Sequence, residues 1–204
     1  MQTHHSGPTR FLHGALSIAV GVQLIVGLVM QAPSAGHAGN GFFTLHKDSD
    51  ILIGALALAF WVVIATRRSG TEAGLLFPWF NADRRSALIA DAQRHWAALR
   101  HGNFADFQAA APMAAAVHGL GLVLVTVMAA TGVGHLIAAI DGASATLLGE
   151  WLRWLHGLTG LLVWLFLIGH GLMALLHHYA GEQDLQSIWS VAAGDADGVR
   201  RDDP

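Results

Sequence analysis

The chain contains no cysteine, one tyrosine and five prolines in 204 residues, and only 12% of it is charged. The missing cysteine excludes disulfides, iron–sulfur clusters, zinc–thiolate sites and covalent c-type haem attachment. Any metal must be held by His, Met or carboxylate. Charge is scarce beside the roughly 25% of an ordinary globular domain, and it is unevenly placed. No Lys, Arg, Asp or Glu occurs between Arg10 and Lys47, between Asp106 and Asp141, or between Arg153 and Glu182. A soluble fold must cover its surface with polar groups, and these gaps leave too few. An apolar content of 53% and a net charge of −3 also argue against disorder and nucleic-acid binding. The composition is that of a membrane protein.

A membrane-crossing helix needs about 20 mostly apolar residues. Four segments qualify: 11–30, 46–66, 112–137 and 154–179. The expected fold is all-α, an integral membrane four-helix bundle. The apolar run of the second span starts only at Ile51, so its helix is expected to begin in the polar stretch before it. Pro112 suits the first turn of the third, where its missing N–H costs nothing. The first helix reads as a retained span rather than a signal peptide. Residues 1–193 form one membrane domain in this reading, and the polar tail 194–204 is expected to be disordered.

Arg10, Arg67, Arg68, Arg84, Arg85, Arg94, Arg100, Arg200 and Arg201 fall on one side of four spans, and Lys47 and Arg153 on the other. That asymmetry puts both termini and the loop 67–111 in the cytoplasm. Within the loop, Leu88, Ile89, Ala92, Trp96 and Leu99 recur at helical spacing. They mark either an amphipathic helix lying on the membrane surface or a solvated connector.

The abundant residues are 24 glycines and 13 histidines. His156 and His170 in the fourth span are 14 residues apart, about 21 Å along a helix and within roughly 40° of one face. His13 enters with the first span at the depth of His170, and His46 enters with the second at the depth of His156. Two stacked imidazole pairs on facing helices, without thiolate, match bis-histidine haem ligation better than zinc or a di-iron site. Gly14, Gly21, Gly54, Gly157, Gly160, Gly169 and Gly171 lie near these histidines. They either leave room for a flat macrocycle or simply pack helices together. His118 reads as a quinone or haem-propionate contact or as a hydrogen-bonded interfacial residue. His177 is a candidate quinone contact, and Arg10 a candidate propionate partner or a positive-inside anchor. His135 sits near the far end of the third span. His4, His5, His37, His95 and His101 read as solvent or interface residues.

The motifs Pro8-Thr9-Arg10-Phe11-Leu12-His13, Leu45-His46-Lys47, Trp154-Leu155-His156, Gly169-His170-Gly171 and His177-His178-Tyr179 resemble one family. It is the bacterial cytochrome b561 and Ni,Fe-hydrogenase b-type cytochrome superfamily, which includes the gamma subunit of formate dehydrogenase. The resemblance implies a four-helix protein with two haem b groups, ligated by the pairs His13–His170 and His46–His156. It further implies electron transfer to or from the quinone pool, in a multi-pass protein of the bacterial inner membrane.

Three functions compete at this point. An electron-transfer subunit would link the quinone pool of a respiratory chain to a periplasmic dehydrogenase, hydrogenase or c-type cytochrome. A stand-alone superoxide oxidase would pass electrons from superoxide to ubiquinone, and would call for positive charge outside. Only Lys47 and Arg153 are available there, beside Asp48, Asp50, Asp141 and Glu150, which favours the subunit. A non-haem metal transporter would call for Asp or Glu within the membrane, and the spans are expected to lack them.

Overall fold

The computed structural model describes residues 7–34, 37–67, 71–102, 111–140, 142 and 145–180. Among them, four helices are long and apolar enough to cross a membrane. These are α1 (Gly7–Val29), α2 (Gly41–Thr66), α5 (Pro112–Ile140) and α6 (Leu147–Tyr179). Between α2 and α5 lie the short α3 (Ala73–Leu76), a 3-10 turn (Pro78–Phe80) and α4 (Ala82–Arg100). Helix α1 packs along α2, α2 along α5 and α5 along α6, while α1 meets α6 at few points.

The spans are apolar outside and partly polar inside, the reverse of a soluble bundle. Ile18, Ile25, Leu28, Leu58, Leu161, Leu165 and Ile168 are exposed, whereas Thr9, Gln23, Asp50, Thr131, Thr159 and His177 are buried. Lipid solvates the exposed aliphatic side chains, and the polar groups find partners within the bundle. The core between them is Leu16, Val20, Leu24, Ile53, Leu122, Val125, Met128 and Val163.

Helices α1, α2 and α6 all start earlier than their hydropathy indicates, and in α2 and α6 a side-chain cap accounts for it. Helix α2 begins at Gly41 because Asn40 caps it, its side chain accepting from the Phe43 N–H at 3.0 Å. Helix α6 begins at Leu147, seven residues before the apolar run, behind a Thr146 cap that accepts from the Gly149 N–H at 3.3 Å. Hydropathy marks only the lipid-embedded part of a helix. The capped first turns lie beyond it and tolerate Lys47, Asp48, Glu150 and Arg153. Glycines with positive φ follow two helices, Gly102 after α4 (73°) and Gly142 after α5 (70°), where a side chain would be strained.

The loop between α2 and α5 contains more structure than one amphipathic element. Phe77 stacks on Trp61 of α2 with centroids 5.2 Å apart. The Leu76 carbonyl lies so close to Gly119 of α5 that no side chain would fit there. In α4 the apolar positions Ile89, Trp96 and Leu99 are exposed, and the residue turned into the protein is Asp91. Its carboxylate accepts from the Met113 N–H at 3.0 Å and from Arg94 at 2.8 Å. This ties α4 to the N-terminal turn of α5, where unpaired backbone N–H groups favour an anion. Burial pushes the Asp91 carboxyl up, but these donors outweigh it and hold the group below the usual carboxylate range.

Candidate functional site

Titratable side chains converge at the two ends of the bundle. Helices α1 and α5 begin at one end and α6 finishes there, bringing His13, His118 and His170 together. Their ligand nitrogens lie within 4.8 Å of one another. Ring centroids are 6.4 Å apart for His13–His170, 6.2 Å for His13–His118 and 5.0 Å for His118–His170. The His118 ring is oriented by a 2.7 Å hydrogen bond between its Nδ1 and the Ala114 carbonyl. Phe166, one turn before His170, stacks on the His170 ring. His177 is buried two turns further on. Arg10, one turn before His13, is half-buried.

At the other end α2 and α6 begin, and they bring together His46, Asp50 and His156, again with ligand atoms within 4.8 Å of one another. The His46 and His156 centroids are 6.1 Å apart. His156 Nδ1 bonds the Met128 carbonyl at 3.0 Å and Thr131 Oγ1 at 3.3 Å, which fixes the ring and directs Nε2 away from α5. His46 Nδ1 is buried and has no hydrogen-bond partner among the described residues. Asp50 is 5% exposed and Gln23 only 1%. The Gln23 amide donates to Asp50 Oδ1 at 3.2 Å and to the His46 carbonyl at 2.8 Å, and accepts from Ser49 Oγ. Gly132 of α5 lies against Asp50 Oδ2 and the His156 ring so closely that a Cβ there would strike both.

The structure therefore brings together both histidine pairs read from depth and spacing, and adds His118 to the first. It corrects one expectation: a membrane-embedded helix does hold a buried acid, Asp50. Asp50 follows His46 by one turn, so the two share a helix face. Gln23 was also missed, although a lone amide in the middle of an apolar span is a signal in itself. His4 and His5 and the tail 194–204 lie outside the described residues.

A metal–imidazole bond is about 2 Å. Two nitrogens on opposite sides of one ion therefore lie about 4 Å apart, with ring centres about 6 Å apart. Both pairs have that separation. The donor set, imidazole without thiolate, suits haem iron. The glycines agree: at Gly21, Gly157, Gly160, Gly169 and Gly171 a Cβ would meet nothing within 4 Å, so the helix surface beside the histidines is open to a flat ring. Gly54 instead faces Ala129 at 4.0 Å, an ordinary helix–helix contact. By distance alone His118 serves as well as His170 opposite His13. The Gly169-His170-Gly171 motif favours His170.

These features define a multi-pass helical membrane protein whose histidines are arranged to hold b-type haem for electron transfer. A family model, prokaryotic cytochrome b561, matches residues 4–190. The chain belongs to the prokaryotic cytochrome b561 family, and b-type haem binding through histidine with a role in membrane electron transfer goes with that membership. Comparison with curated proteins found no match, and comparison with solved structures found none.

Proposed function

We propose that the chain carries two haem b groups and passes electrons between a periplasmic redox partner and the quinone pool of a respiratory chain in the bacterial inner membrane. The observation that carries this reading is the presence of two imidazole pairs, with ring separations of 6.4 and 6.1 Å, at opposite ends of one bundle. His13 and His170 would hold one group, His46 and His156 the other. Bound haem supplies a one-electron iron couple.

The chain's own side chains do the rest. Each group would be held by two imidazoles, His13 with His170 and His46 with His156, a ligand set that would favour electron transfer over binding of small ligands. The Met128 carbonyl keeps His156 in one tautomer and orientation. Arg10 and His118 stand where they could neutralise or bond a carboxylate at the His13–His170 end, and His177 where it could bond a quinone carbonyl. The excess of arginine at that end supports a cytoplasmic orientation for it, with the His46–His156 end facing the periplasm. At the periplasmic end Lys47 pairs with Asp48 at 3.8 Å. With Arg153 the other cation there, beside Asp50 and Glu150, little net positive charge remains to attract superoxide, which favours a docked protein partner.

Haem content and turnover test the reading. Pyridine haemochrome analysis of the purified protein should give two b haems per chain, both reducible by quinol. One haem per chain would overturn the di-haem assignment. Fast superoxide-to-quinone turnover by the purified chain, with no partner added, would replace the electron-transfer subunit by a stand-alone oxidase.

A further inference from the structure

The two ends of the bundle differ in the third group beside each histidine pair. At one end it is the imidazole of His118; at the other it is the carboxylate of Asp50. We propose that Asp50 is a positioning residue that lowers the midpoint potential of the haem held by His46 and His156, making it the lower-potential centre of the two. The proposal rests on the di-haem reading.

Oxidised haem iron carries one more positive charge than reduced iron, so a nearby anion stabilises the oxidised form and lowers the potential. Inside a membrane protein the screening is weak and the effect correspondingly large. Asp50 is placed for this and held there. It is 5% exposed, with a carboxylate oxygen within 4.8 Å of the ligand nitrogens of both His46 and His156. Gln23, the most deeply buried polar side chain of α1, donates to Oδ1, and Gly132 closes the space beside Oδ2. The His46 Nδ1 without a partner lies one turn back on the same helix face, and a carboxylate in that position is a ready acceptor for the N–H of a ligating imidazole. Such a bond, absent among the described residues, would form on ligation; it would make the ligand more electron-donating and move the potential in the same direction. The cluster of His13, His118 and His170 contains no carboxylate among the described residues. Electrons would then run downhill from the His46–His156 end toward the His13–His170 end.

The test is a spectroelectrochemical titration of the holoprotein, with each haem assigned through the single-haem variants His156→Leu and His170→Leu. Asp50→Asn should raise the potential of the His46–His156 haem and leave the other unmoved. At a fixed applied potential the reduced-to-oxidised ratio of that haem should rise roughly tenfold or more. Asp50→Glu, which keeps the charge, should restore most of the shift. No change or a downward shift in Asp50→Asn with both haems present overturns the proposal, as does a Glu variant that behaves like the Asn one. If Asp50→Asn sheds the haem, Gln23→Leu decides: loss of the amide donor should lower the same potential, and a rise or no shift counts against Asp50. Fewer than two haems in the unmodified protein is a different failure, since it removes the di-haem reading itself.

Discussion

The Phe166 ring lies flat against the His170 imidazole, with centroids 5.2 Å apart and planes within 10° of parallel. The same ring is seated on Gly121 of α5, where a Cβ would collide with the ring edge. One glycine on a neighbouring helix therefore sets the orientation of a histidine at the site. Gly121→Ala is expected to push Phe166 off His170 and to alter the spectrum of one haem only. Low-temperature difference spectra would show this as a shift in one α-band. Phe166→Leu in the same background should relieve the clash. A Gly121→Ala spectrum identical to that of the parent protein would show that the stacking does not position His170.

Ligand pairs at opposite ends of a bundle should be separable. His170→Leu should lose the haem at the His13 end and keep the other, and His156→Leu the reverse, so each variant retains about half the haemochrome absorbance per chain. His118→Leu separates the three imidazoles of the first cluster. If His13 and His170 are the ligands, it retains both haems with at most a small spectral change. Loss of one haem in His118→Leu, with retention in His170→Leu, would reassign the pair to His13 and His118.

Asp91 predicts a pH dependence that is independent of haem. Its folded-state pKa lies below the ordinary carboxylate value of about 3.9. A depressed acid contributes stability that is fully present above the unfolded value and is lost as the pH falls through the folded one. Docking of α4 on α5 should thus hold at pH 6 and weaken below about pH 4. A nitroxide label at Ala97, an exposed position in α4, should gain mobility over that interval. Asp91→Asn loses the ion pair with Arg94 and should be mobile at both pH values, with a cost of roughly 1–3 kcal/mol. A label that reports equal mobility at pH 6 and pH 3 in the parent protein would count against this role for Asp91.

The spans and the two histidine pairs were legible in the sequence because each depends on something periodic. Helical rise and twist place His156 and His170 on nearly one face at two depths, and chain direction places His13 and His46 at the same depths. What escaped depends on contacts between helices. Asp50 reads as an interfacial charge by its place before Ile51. It becomes a buried partner of the histidines only because Asn40 starts α2 early and Gln23 reaches across from α1. The α4 stripe was legible as amphipathic, but its side was not: Asp91 faces inward because the start of α5 attracts an anion, and the apolar positions face out. Gly121 and Gly132 carry no signal along the chain, since their tight contacts come from Phe166 on α6 and Asp50 on α2.

The early start of α2 can be tested in its own right. Asn40 accepts from the Phe43 N–H and from the Gln31 N–H at 3.0 Å each, and its Nδ2 donates to the Val29 carbonyl at 3.1 Å. One side chain thus caps α2 and binds it to the end of α1, six residues before His46. Asn40→Ala removes all three bonds and should destabilise that end by about 1–2 kcal/mol. Asn40→Asp keeps an acceptor for both N–H groups and loses only the bond to Val29, so it should fall between the two. The loss should be local, because the His13 end is a bundle length away. On heating, Asn40→Ala is expected to release the His46–His156 haem at a lower temperature than the parent, while the His13–His170 haem leaves at an unchanged one. Equal shifts for both haems would mean that the cap stabilises the whole bundle rather than the geometry of one site.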